Sequence, residues 1–280
     1  MLYLFRGHER EWVNMQEDDS RDRSTAIKDV DQAIHEGLLP PMLMVMPGLN
    51  SADNHVPSLG IDMVGTWPAA RKELGTGRFW TYLTREFFPE IEARYPQSDG
   101  GRRLAAGFSL GGYTVSLLAA KCPGYFDHIA SYDGLLMWPW HQDPRVDGSQ
   151  RCGDPVWCKA SIFDAALGRP RSARALRRWN PTDALFPDDT PLLDRLRDTT
   201  FWIACAYSDG RKGNRDRARF FVQLLRQHGL RIGFAGDDVI FHPEASHTWH
   251  WTDRFLMTFL AGAFTGTAPE LPRVAEVTAE

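Results

Sequence analysis

The segment Arg103-Leu104-Ala105-Ala106-Gly107-Phe108-Ser109-Leu110-Gly111-Gly112-Tyr113 constrains this chain more than any other. A short apolar run leads into Ser109, and a longer one, Leu110 to Lys121, leaves it. The first has the length of a buried strand and the second that of a helix. A sharp turn between two such elements needs small residues on both sides, and Gly107 and Gly111 supply them. The turn lifts the serine hydroxyl to a helix N-terminus, where unpaired N–H groups and the helix dipole favour negative charge. That is what a nucleophilic serine requires. The alternative is a glycine-rich turn capped by a serine with no chemistry.

The rest of the chain repeats the same alternation. Leu2–Phe5, Met42–Met46, Arg103–Phe108, Ile129–Tyr132 and Phe201–Ala206 read as short buried strands. Ile27–Gly37, Phe79–Tyr95 (broken near Pro89), Leu110–Lys121, Arg215–His228 and Thr252–Phe264 read as helices. Short apolar strands between helices predict an α/β protein, with a mostly parallel central sheet covered on both faces. Residues 1–264 read as a single domain and 265–280 as a tail that has lost its periodicity. Leu135 to Pro191, rich in Trp, Pro, Arg and Asp, reads as an insertion between sheet strands that forms a cap or pocket wall.

A formal net charge of -4 over 280 residues offers no general attraction to nucleic acid or to an anionic membrane. The basic clusters Arg169–Arg178 and Arg211–Arg219 read as solvated helix faces or loops. No apolar run approaches the roughly 20 residues of a membrane span. Met1-Leu2-Tyr3-Leu4-Phe5-Arg6 lacks the features of a secretory signal, so a cytoplasmic location is expected. Among the four cysteines, Cys205 sits in an apolar run and reads as a buried thiol. Cys152 and Cys158 flank a short loop and read as two free thiols or a local disulfide. No pair of further ligands suggests a metal site.

A serine becomes a useful nucleophile only beside a base. With the serine at such a turn, the expected chain order is serine, acid, histidine. Of nine histidines, His247 lies late in the chain, in the loop before the last helix; His250 and His242 are its rivals. Asp209, in Cys205-Ala206-Tyr207-Ser208-Asp209-Gly210, follows a late strand and precedes a helix, as the acid should; Asp216 is the runner-up. For an oxyanion, one donor is expected from the backbone N–H of Leu110. The other is expected from Gly7 or His8, in the loop after the first strand.

These residues resemble the esterase D-like branch of the α/β-hydrolase superfamily, which includes S-formylglutathione hydrolases, feruloyl esterases, enterochelin esterases and mycolyltransferases. The likeness is carried by Leu2-Tyr3-Leu4-Phe5-Arg6-Gly7-His8, Leu39-Pro40-Pro41-Met42, Val45-Met46-Pro47-Gly48, Glu86-Phe87-Phe88-Pro89-Glu90-Ile91-Glu92, the Ser109 segment, Trp179-Asn180-Pro181 and His247-Thr248-Trp249-His250-Trp251. It implies an α/β-hydrolase fold and ester hydrolysis through an acyl-serine, without a cofactor. Its triad falls on Ser109, Asp209 and His247. Relatives commonly carry one or two strands ahead of the Leu-Tyr-Leu segment and a His-Gly pair where this chain has Arg6-Gly7-His8-Glu9.

The expected activity is that of a serine carboxylic-ester hydrolase on a small-molecule acyl or aryl ester. Acyl transfer to an alcohol or sugar, and a non-catalytic binding protein on the same fold, are the competing readings. Trp138, Trp140, Trp249 and His55 are the expected substrate-facing residues, with packing of the insertion as the alternative for the tryptophans. No nucleic-acid or membrane partner is expected, and a homodimer is open to the chain.

Overall fold

The computed structural model describes residues 1–6, 12–14, 21, 24–50, 59–64, 77–96, 101–142, 163, 166–168, 170–185, 190–207, 212–236 and 238–271. Six strands form one sheet: β1 (Leu2–Phe5), β2 (Met44–Val45), β3 (Leu104–Phe108), β4 (His128–Tyr132), β5 (Thr200–Ala204) and β6 (Arg231–Ile232), in the order β2-β1-β3-β4-β5-β6. Every pairing in it is parallel, as the alternating sequence pattern predicts. β1 is an interior strand, with the two-residue β2 outside it and the serine strand β3 inside.

Side chains alternate across the sheet and seed a core on each face. Leu2, Leu4, Ala106, Tyr132 and Trp202 join helices α1 (Ala26–His35) and α8 (Trp249–Thr265), through Val30, Phe255 and Phe259. Tyr3, Phe5, Ala105, Ile129 and Phe201 join the opposite layer, with Val115 and Leu118 of α3 (Leu110–Lys121) and Phe221 and Leu225 of α7 (Lys212–Gln227). From Gly111 to Ala120 α3 is buried on every side, which is why its sequence is apolar all round.

Several boundaries differ from the sequence reading. The helix α2 is continuous through Pro89: it runs as Phe79–Thr81, widens to π geometry over Tyr82–Phe87, and resumes as Phe88–Arg94. Pro89 thereby falls directly after the π-widened turn, in the first turn of the regular segment. α8 starts at Trp249 and α7 at Lys212, each three residues ahead of its expected start. The strand expected at Met42–Met46 shrinks to two residues, and β6 has no sequence signal at all.

The insertion contributes α4 (Ala173–Trp179), α5 (Pro181–Leu185) and α6 (Thr190–Leu196). Leu135, Met137, Phe163, Leu176 and Trp179 form a small third core against Tyr113 and Leu117 of α3. The two basic clusters are not wholly solvated. Arg171 and Arg217 are fully buried, and Arg177 and Arg178 lie over the rings of Trp140 and Trp179. Past α8 the chain does not simply trail off, since Glu270 bridges to Ala235 and Leu271 is buried. Among the described residues, no helix is long and apolar enough to cross a membrane. Cys205 is a buried thiol and Cys122 a half-buried one, neither of them in a disulfide. Cys152 and Cys158 lie outside the described residues.

Candidate active site

Ser109 occupies the single residue between β3 and α3, with φ 55 and ψ -114. A side-chain-bearing residue pays about 1–3 kcal/mol for such a conformation, so the surroundings must over-determine it. They do so by close packing. A methyl group at Gly111 would lie 1.7 Å from the Phe5 carbonyl oxygen, and one at Gly107 would lie 2.2 Å from the Gly111 carbonyl. Glycine at both positions lets the start of α3 press against the ends of β1 and β3. Ser109 is also clamped through its backbone: its N–H donates to the Tyr132 carbonyl at 3.1 Å, and its carbonyl accepts from Leu135 at 2.9 Å.

The same packing fixes the helix end beside the serine. Leu110 is the first residue of α3, so its N–H has no acceptor four residues back in the helix. Phe5, paired with Gly107 across the sheet, delivers the chain from β1 to that spot. Gly7 and His8, the expected second donors, lie outside the described residues. The guanidinium of Arg6 sits over the Phe108 ring at 4.7 Å.

His247 lies in the loop between the Cys205–Ile240 bridge and α8. That loop is tied to the sheet twice, by Tyr207 N–H to the Ala245 carbonyl at 2.8 Å and by the Tyr132 hydroxyl to the Ser246 carbonyl at 2.7 Å. The His247 ring packs 4.5 Å from the ring of Phe108, the residue before the serine. Its Nδ1 is hydrogen-bonded to Oδ2 of Asp133. The two side chains are only 9% and 1% exposed, so water competes little for this bond. An ionised carboxylate can only accept, so Nδ1 carries the proton and Nε2 is left with a free lone pair.

Asp133 is the residue that sequence reasoning missed. It follows β4 directly, with φ 43, and a glycine comes next. Asp209, expected as the acid, lies outside the described residues. Asp216, its runner-up, is on the exposed side of α7, 3.9 Å from Arg215. In the sequence both Asp133 and Asp209 precede a glycine shortly after an apolar run, between the serine and the histidine. The signal that nominates one therefore nominates the other.

The remaining expected residues divide. Trp249 is 2% exposed and wedged against Phe108 and Trp12, behind the serine turn. Trp138 is half-buried with its ring against Phe220, and Trp140 packs with Arg177. Both lie on the segment leaving Asp133. His55 lies outside the described residues. The rival histidines belong elsewhere: His242 and His250 line a cavity of about 440 Å³ with Trp251 and Arg254, and neither Ser109 nor His247 reaches it. Among the described residues no cluster of ligating side chains could hold a metal ion.

Comparison with known proteins places the chain among relatives of the same fold. A diacylglycerol acyltransferase/mycolyltransferase Ag85A of Mycobacterium gordonae is 27% identical over 198 residues, 66% of this chain and 53% of its own length. The chain thus spans about half the length of the curated relative it matches. A ferulic acid esterase superposes with a TM-score of 0.60 at 20% identity, covering 92% of this chain and 82% of that one. An S-formylglutathione hydrolase from Agrobacterium tumefaciens gives 0.57 at 17% identity, covering 95% and 82%. The Mycobacterium tuberculosis protein MPT51 gives 0.57 at 16%, covering 95% and 88%. These likenesses identify the fold as that of the α/β hydrolases. The Esterase family model matches residues 2–260, and on that match the chain belongs to the Esterase family.

Proposed function

We propose that this protein is a serine carboxylic-ester hydrolase working through an acyl-Ser109 intermediate. The observation that carries the reading is the pairing of a backbone-strained serine between β3 and α3 with an imidazole whose Nδ1 is committed to a carboxylate. His247 Nε2 takes the Ser109 proton as Oγ bonds to the ester carbonyl carbon, and gives it to the leaving alcohol as the C–O bond breaks. Water then repeats the sequence, releasing the acid and restoring the serine. The developing oxyanion rests on the Leu110 N–H and on a second donor from the Gly7–His8 loop. None of these steps calls for a cofactor. The substrate is a small-molecule acyl or aryl ester, with Trp138, Trp140 and His55 toward its acyl or aryl part.

Replacing Ser109 with Ala is expected to abolish hydrolysis of short p-nitrophenyl esters and labelling by a fluorophosphonate probe, while the far-UV circular dichroism stays unchanged. A variant that still turns over would sink the assignment, and an unlabelled wild type would favour a binding protein on this fold. The name of the Mycobacterium gordonae relative favours a second reading, acyl transfer to an alcohol. Product analysis with an added alcohol or sugar separates the two: ester formation in place of acid release supports transfer.

A further inference from the structure

We infer that the carboxylate which orients and balances His247 is supplied by Asp133 at the end of β4, and that Asp209 has no part in the chemistry. The inference rests on the serine-hydrolase reading above. It moves the acid to the strand beside the nucleophile strand, one strand nearer than the Ser109–Asp209–His247 assignment implies.

Four observations carry it. First, the Nδ1 of an imidazole has one proton to give, and Asp133 Oδ2 already takes it from His247. Second, Asp133 is held in place as a working residue would be. Its backbone is left-handed at φ 43, its N–H donates to the Ala204 carbonyl at 2.8 Å, and its carbonyl accepts from Asn214 Nδ2 at 3.3 Å. Non-glycine residues keep this conformation only where the surroundings impose it. Third, α7 presents the fully buried Arg217 toward this carboxylate. Arg217 donates to Asn214 Oδ1, and the charge of Asp133 works against the burial that pushes the guanidinium down to about 10. Fourth, β4 is in register with β3 from Leu104↔His128 to Phe108↔Tyr132, so Ser109 and Asp133 leave adjacent strands at the same level.

In the resulting chain, the Ser109 proton moves to Nε2, the Nδ1 proton stays on the imidazole, and Asp133 remains ionised opposite the imidazolium. Asp133 is thus a positioning residue, acting on the substrate only through His247. Asn214 and Arg217 act one step further back, on Asp133.

The test compares Asp133→Asn with Asp209→Asn, beside Ser109→Ala, on a p-nitrophenyl ester. Asp133→Asn is expected to lower kcat by about ten-thousandfold with KM little changed, as when an amide replaces the carboxylate behind a catalytic histidine. It should also remove the far-downfield proton NMR signal of an imidazole N–H held by a carboxylate, which a purely structural defect in a folded protein would leave in place. Asp209→Asn is expected to keep both the signal and kcat within about threefold. Loss of either in Asp209→Asn overturns the inference, as does an Asp133→Asn protein that retains more than about a tenth of kcat. If Asp133→Asn does not fold, Asp209→Asn alone decides. Activity surviving in Ser109→Ala would instead remove the underlying reading, so the two failures are distinguishable.

Discussion

Ser109 and Asp133 are held in left-handed backbone at the ends of neighbouring strands, and each is followed closely by glycine. The glycines are there for space. Gly111→Ala would drive a methyl group into the Phe5 carbonyl, backbone that cannot swing aside. We expect a destabilisation of about 3 kcal/mol or more, read as a lowered urea midpoint, together with lost esterase activity. Trp249→Ala tests the packing behind the turn. Its ring contacts Phe108, Trp12 and the guanidinium of Arg21, so its removal should cost about 3–5 kcal/mol by chemical denaturation. A stability change under about 1 kcal/mol would return Trp249 to the substrate side. At this scale the placing of Ser109 at a strand-to-helix turn and of His247 in the loop before the last helix was legible, because glycines bracket the serine and the histidine comes late in the chain. The acid was not. An aspartate before glycine after a strand occurs twice, and only the path of β4 beside β3 decides which one meets the imidazole.

At the scale of elements, the insertion is bound to the strand end that bears Asp133 by one buried knot. Asn180 Nδ2 donates to the Trp138 carbonyl and to Asp183, and its Oδ1 accepts from Thr182 N–H. The Thr182 hydroxyl donates to the Met137 carbonyl at 2.7 Å. This knot fixes the segment that carries Trp138 and Trp140. Asn180→Ala strands buried partners and should cost on the order of 2 kcal/mol. It should also raise KM for aryl esters more than it lowers kcat, since it loosens the wall and leaves His247 in place; an unchanged KM would separate the knot from substrate binding. The long helices and interior strands were readable because they are fully apolar or strongly amphipathic. The two-residue strands β2 and β6 were not, since strands that short have no period to detect. Pro89 misled in the other direction: a proline that breaks a regular helix is accommodated by the π-widened turn before it.

Across the whole molecule, the α1–α8 layer carries a buried ion pair whose titration should show in stability. Burial holds the Asp253 carboxyl up at about 6, even though Arg21 donates to both of its oxygens at 3.0 Å. An unfolded aspartate titrates near 4. Between about pH 4 and 6 the folded chain therefore keeps a proton that the unfolded chain has lost, and stability from this group falls as pH rises through that window. Urea midpoints of the wild type and Asp253→Asn at about pH 4 and about pH 6.5 should show the wild type losing on the order of 2 kcal/mol more than the variant. Parallel pH dependences would place the Asp253 carboxyl at its ordinary value.

The position of Asp133 on β4 has a consequence for how such a molecule can be rebuilt. Ser109 and Asp133 are carried by one contiguous β3–α3–β4 unit, and the imidazole comes from a loop 114 residues further along the chain. Rebuilding the site elsewhere would therefore take two pieces of chain, the β3–α3–β4 unit with Ser109 and Asp133 and the loop with His247.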